Sequence, residues 1–236
     1  MLIERSIVRA SEPRPSEIQT RPEHGERPRS VEPAADQHVN DERDIDEHAH
    51  LIGPNAVLQL VAAMRDHLGM EKTQAILEDA QIEALPSGSD MIPEIEAMRL
   101  HRWLFLHEPD GSYAIERDAG RRTADYIIAH RIPRFAVWLL PHLPAALAAR
   151  ILMRAINKHA WTFIGAGQFR PEGPWQFAIN RRNADDAIMP PDTVFEWYGA
   201  VFERLYQRLI CPGTHCHDDG DGRDVMVHHY SLRRMT

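Results

Sequence analysis

The chain has 236 residues and a net charge of −8, a length that allows one large domain or two small ones. Its two cysteines, Cys211 and Cys216, are too few for a disulfide framework and fit a reducing, cytoplasmic compartment. The longest uncharged run, 135–149, is 15 residues interrupted by Pro141, His142 and Pro144; it falls short of the roughly 20 apolar residues a membrane-spanning helix needs, so membrane contact is expected to be peripheral at most.

Residues 1–50 hold five prolines and twelve Asp/Glu against seven Lys/Arg, with no sustained apolar period. Such a segment cannot bury enough surface to offset its ordering entropy, and it is expected to be disordered. The folded domain is expected over 51–236. Gly53-Pro54-Asn55 opens a helix whose Val57, Leu60, Val61, Met64 and Leu68 recur at helical spacing, closed by Gly69. A weaker helix follows over 71–82, broken by Pro86-Ser87-Gly88, and a third begins at Pro93.

The stretch 113–130 reads as helix and ends at Ile132-Pro133; 135–140 is a short apolar segment. A stronger helix is predicted over 143–158. Leu143, Leu147, Ile151, Ala155 and Ile156 lie on one face, and Arg150, Arg154 and Lys158 recur at four-residue intervals on another. The pattern then changes to TFIGAGQF and WQFAIN, an expected antiparallel strand pair joined by the turn-rich RPEGP. A last helix is predicted over 192–209, with Asp192 as N-cap. The tail is polar, with VMVHHYSL as one further candidate strand. Helices first and a small sheet late define an α+β domain of several helices packed on a small antiparallel sheet.

Charge is distributed unevenly. Residues 112–182 hold four acidic against eleven basic side chains in an otherwise acidic protein. Anionic partners follow from that. No zinc-finger spacing, RNP-type motif or basic-helix pattern is present, so nucleic acid is not an expected partner. Arginines scattered through an apolar background suit carboxylates better than a phosphate backbone.

Five runs carry a family resemblance: AGRRTADYIIAHRIP, LAARILMRAINKHAW, TFIGAGQF, WQFAIN and FEWYGAVFERLYQRLI, with GPNAVLQLVAAM near the start. Over about residues 51–210 the chain resembles the bacteriochlorophyll 4-vinyl reductase family, the accessory J proteins of bacteriochlorophyll biosynthesis. The resemblance implies an α+β fold related to small-molecule-binding and vesicle-tethering domains; the protein is expected to be cytoplasmic, at most peripheral to the photosynthetic membrane. The resemblance also implies a (magnesium) tetrapyrrole ligand, carried to magnesium chelatase or methyltransferase-type pathway enzymes. The family name implies instead reduction of a vinyl group on a divinyl chlorophyllide-type substrate. A dimeric interaction protein without ligand is the third expectation, with 135–149 as a dimer face or membrane-contact patch. Relatives often end in a glutamate and two cysteines that bind zinc in some members; here Cys211 and Cys216 are only five apart, so that site does not carry over.

Vinyl reduction needs an electron donor. The only Gly-rich candidate is Gly165-Ala166-Gly167, and a lone GxG in a strand-like context more often marks a bulge or a close backbone approach. Four cluster-ligating thiolates are not available from two cysteines. No redox-cofactor motif is evident, and a flavin site stays open with no residue pattern arguing for it. A planar tetrapyrrole with propionates wants apolar walls and cations at the rim. Trp161, Phe163, Phe169, Trp175 and Phe177 are candidate walls, although aromatics at strand spacing are commonly core. Arg121, Arg122, Arg150 and Arg154 are candidate propionate partners. His159 and His130 are candidate axial ligands for a central magnesium, in competition with water. Cys211, His215 and Cys216, with His217 and His228 or His229 nearby in sequence, are candidate zinc ligands by type but not by spacing.

Overall fold

The computed structural model describes residues 50–182, 189–220 and 224–234. The disorder expected for 1–50 falls almost wholly outside these residues. The chain begins with a two-residue strand β1 (Leu51–Ile52), helices α1 (Asn55–Leu68) and α2 (Met70–Asp79), strand β2 (Ile92–Pro93), α3 (Glu94–His107) and α4 (Ser112–His130). It continues through α5 (Arg134–Leu139), a 3-10 turn (Leu140–His142), α6 (Ala145–His159) and α7 (Trp161–Ile164). Strands β3 (Gln168–Gly173) and β4 (Gln176–Asn180), helix α8 (Thr193–Leu209), and strands β5 (Thr214–Asp218) and β6 (Val227–Arg234) complete it. The α+β architecture expected from the sequence is the one observed.

Helix α8 organises the domain because it is apolar on nearly every side. Phe195, Trp197, Tyr198, Val201, Phe202, Leu205, Tyr206 and Leu209 are all buried. One side packs on α4 and the other on an antiparallel sheet ordered β3-β4-β6-β5. Phe202 stacks on Phe177 of β4 at 3.8 Å between ring centroids, and Phe177 stacks on Tyr230 of β6 at 4.7 Å. A buried phenol needs a hydrogen-bond partner. Tyr198, Tyr206 and Tyr230 accordingly donate to the carbonyls of Phe163, Pro174 and Phe195.

The α4–α8 contact depends on Gly120. A Cβ built there would lie 2.5 Å from the Trp197 carbonyl oxygen and 2.8 Å from Ala200 Cβ. Arg117–Glu196 (2.9 Å) and Arg204–Asp125 (3.0 Å) flank the contact. Gly120 does not loosen α4, which runs unbroken through it. Gly120→Val should cost about 3 kcal/mol, because the obstruction is backbone and the helices must separate. Thermal unfolding of the variant measures that loss.

Three local expectations need correction. The segment Trp161–Ile164 is a helical turn, not the start of a strand; it continues directly from α6, and Gly165, at φ +53°, ends it. The tail after 213 forms β5, a strand whose identity comes from pairing with β6 rather than from its polar sequence THCHD. Helix α6 buries Ala148, Ala149, Leu152 and Met153, leaving the larger Leu147 and Ile151 in solvent. With apolar residues on two sides, the helix seats the side carrying small alanines against the domain. Asp192 sits at the N-cap position of α8 but makes no side-chain cap bond.

Candidate functional site

The candidate wall residues Phe163, Phe169 and Phe177 pack on one another between α8 and the sheet instead of lining an open space. Phe163 and Phe169 pack edge-to-face at 5.8 Å, and Phe169 stacks on Phe202 at 5.6 Å, so both belong to the aromatic core with Phe177. Trp175 is half-buried against Tyr206. Trp161 is largely exposed beyond the end of α6, next to the exposed His159. His130 lies at the exposed end of α4, stacked on Tyr126.

Two surface grooves among the described residues bear on the site. The larger, about 410 Å³, lies among Ile128, Val137, Arg204, Gln207, Arg208 and Pro212. The smaller, about 280 Å³, is bounded by Arg150, Met153, Arg154 and Asn157 of α6 and by 171–174 at the β3–β4 connection. Pockets for drug-sized ligands span roughly 300–1,000 Å³, so the smaller groove suits one edge of a large planar molecule.

The arginines predicted together do not all meet. Arg122 is tied to Asp118 and Asp66, at 3.0 and 2.7 Å, and these carboxylates hold its guanidinium firmly protonated. Arg121 is exposed on α4 and lines neither groove. Arg150 and Arg154 stand one helical turn apart on the same groove wall, both exposed, and among the described residues neither has a carboxylate partner. Across the groove, burial tends to raise the Glu172 carboxyl, but His229 and Arg170 outweigh it and hold that group below the usual carboxylate range. The larger groove was not foreseen: Arg204, Gln207 and Arg208 sit on a helix whose strongest sequence signal is its buried face, and Arg204 is already bound to Asp125.

The Gly165-Ala166-Gly167 segment has a structural use. Glu94, at the start of α3, and Arg181, after β4, form an ion pair at 2.5 Å with side chains 1% and 0% exposed. Arg181 also donates to the Ile164 carbonyl at 2.6 Å, and the Ala166 amide donates to Glu94 at 2.8 Å. A Cβ at Gly165 would fall 2.1 Å from the Glu94 carboxylate, and one at Gly167 would fall 2.8 Å from Arg181 Cδ. The two glycines let the backbone close over a buried charge pair, which is the close-approach role of glycine rather than a phosphate cradle. A second buried pair, His101–Glu116 at 2.6 Å, lies edge-on to Trp197. Burial raises the Glu116 carboxyl, partly countered by His101.

The candidate zinc ligands do not converge. Side chains alternate along a strand, so Cys216 faces the core while His215 and His217 face the other way. Burial and neighbouring Glu203 push the Cys216 thiol well above its ordinary range. Cys211 lies outside β5, its thiol lowered chiefly by a hydrogen bond from the Gly213 backbone. His228 is bonded to Asp218 and stacked on Phe195 at 3.6 Å, and His229 is bonded to Glu172. Among the described residues no group of three or more His, Cys, Asp or Glu could hold a metal ion.

In architecture the chain is an α+β domain whose fold is similar to that of H-NOX domains. It aligns with the Fe(II) unliganded H-NOX protein from K. algicida at TM-score 0.53 and 8% identity, covering 78% of this chain and 97% of that one. A point variant of the same protein aligns at TM-score 0.52 over the same shares. At that identity the likeness is one of fold alone. No protein-family profile matches the chain. Its sequence relatives are the bacteriochlorophyll synthase 23 kDa chains. That of Cereibacter sphaeroides is 41% identical over 166 residues, 70% of this chain and 81% of its own length. That of Rhodobacter capsulatus is 40% identical over 165 residues, 68% and 76% of the respective lengths. The chain belongs to this family of bacteriochlorophyll-biosynthesis accessory proteins, in agreement with the resemblance read from its sequence.

Proposed function

We propose that the protein holds a magnesium-tetrapyrrole intermediate of bacteriochlorophyll biosynthesis and presents it to pathway enzymes. The family supports the pathway. The observation that carries the binding reading is the pair Arg150 and Arg154, two exposed guanidiniums without carboxylate partners on one groove wall. Guanidinium forks bind carboxylates bidentately, so this wall suits the propionate edge of the macrocycle. Met153, Pro171 and Pro174 supply apolar surface beside it. The groove takes the acidic edge and leaves the rest of the disc accessible, an arrangement suited to handing a pigment on. Carriage is favoured over vinyl reduction because the glycines of the one candidate nucleotide loop pack against Glu94 and Arg181 instead.

Titration of the full chain with magnesium protoporphyrin should shift and sharpen the Soret band. The double substitution Arg150→Ala/Arg154→Ala should weaken binding by about tenfold to a hundredfold, the loss expected for two charge-assisted hydrogen-bonding groups. Arg208→Ala, in the larger groove, should leave it unchanged. A spectrum insensitive to pigment overturns the binding reading. Binding that weakens with Arg208→Ala alone moves the site to the larger groove.

A further inference from the structure

Between Asp125 and Glu172 the chain contains no acidic residue, although the protein as a whole carries a net charge of −8. This stretch forms the end of α4, then α5, the 3-10 turn, α6, α7 and the start of β3. Its cations are Arg131, Arg134, Arg150, Arg154, Lys158 and Arg170, and all six are exposed.

Large apolar side chains stand in solvent on the same stretch. Phe135 is 71% exposed, Trp138 67%, Leu147 46% and Ile151 43%, and α5 buries none of its residues. On α6 the face opposite the buried alanines carries two adjoining rows one turn in spacing: Leu147 and Ile151, and Arg150, Arg154 and Lys158. The 3-10 turn packs against both α5 and α6 and joins the two helices.

We propose that α5 and the outer face of α6 form a docking surface for an anionic lipid bilayer. Phe135 and Trp138 would enter the boundary between headgroups and acyl chains, and the arginines and Lys158 would meet lipid phosphates. Adjacent apolar and basic rows with aromatic anchors are what a surface lying in the membrane interface requires. No helix among the described residues is long and apolar enough to cross a membrane, so the contact is with the surface. Charge decides between occupants. A second copy seated through the same face would set these cations against their own counterparts. A nucleic acid would satisfy the cations and leave Phe135, Trp138, Leu147 and Ile151 uncovered. An anionic bilayer satisfies both rows. Arg150 and Arg154 are shared with the smaller groove, but Phe135 and Trp138, which the test replaces, line neither groove, so failure here is distinguishable from failure of pigment binding.

The test is co-sedimentation of the full chain with phosphatidylcholine vesicles and with vesicles containing about 30% phosphatidylglycerol, enough to give a negative surface potential. Binding should occur with the second and not the first. Salt at about 0.5 M should release most of the protein, because it shortens the screening length to a few ångströms. Phe135→Ser/Trp138→Ser should weaken binding by about tenfold or more through lost apolar burial. Both side chains are exposed, so the variant should keep the wild-type circular dichroism and unfolding midpoint. Absence of binding to anionic vesicles, equal binding to both compositions, or an unaffected double variant would each overturn the proposal. A dimer in sizing chromatography that the double substitution disrupts, without vesicle binding, would assign the face to a second copy.

Discussion

Glu94→Ala should remove about 3–5 kcal/mol of stability, the usual consequence of leaving one member of a buried ion pair without the other. Arg181 is fully buried, and its guanidinium would lose the carboxylate 2.5 Å away. The Ala166 amide would lose its acceptor at the same time. Small domains are stable by only about 5–15 kcal/mol, so the variant should sit near the edge of folding. Urea unfolding followed by circular dichroism should show a lower midpoint with an unchanged slope. The double substitution Glu94→Leu/Arg181→Met should recover much of the loss, because it removes both charges and keeps apolar volume. A single-variant loss under about 1 kcal/mol would mean that water or the other contacts of Arg181, such as the Ile164 carbonyl, suffice to hold its charge.

Phe202→Ala should cost a similar amount, about 3–5 kcal/mol, through lost apolar transfer and the cavity left behind. Its ring lies 3.8 Å from Phe177, 5.6 Å from Phe169 and 6.3 Å from Phe163, so one deletion undoes contacts with two strands and α7. Phe202→Leu, which keeps much of the volume, should cost less than about 2 kcal/mol. Equal losses for the two variants would show that the rings contribute through something other than filled space. Unfolding midpoints of both proteins decide the matter.

Most helices were legible because their apolar residues recur every three or four positions, as in Val57, Leu60, Val61 and Met64 of α1. The stripe from Phe195 to Leu209 likewise pointed to the central helix. Strand β5 was not legible. Thr214–Asp218 is polar, and only its pairing with β6 makes it a strand. Helix α6 was located, but its orientation was not: both Leu147–Ile151 and Leu152–Met153 are apolar, and tertiary contact chose the second. At the site, Arg150 and Arg154 line one groove, as the sequence grouped them. Arg122 does not join them: Asp118, one turn earlier on α4, was a partner the sequence could show, whereas Asp66, 56 positions away, was not. The Glu94–Arg181 pair left one trace, the Gly165–Gly167 spacing, which spoke of close approach without saying to what.

The strand order has a consequence for how the molecule is made. β6 lies between β4 and β5, so among the described strands the one latest in sequence occupies an interior position of the sheet. Until Arg234 has cleared the ribosome, β4 exposes a bare edge and Phe177 lacks the Tyr230 ring that covers it. The helices that precede the sheet can associate before β6 emerges, but the sheet can close only once β6 is available. Slowing translation between β4 and β6 would prolong the interval in which that bare edge is open to wrong pairing.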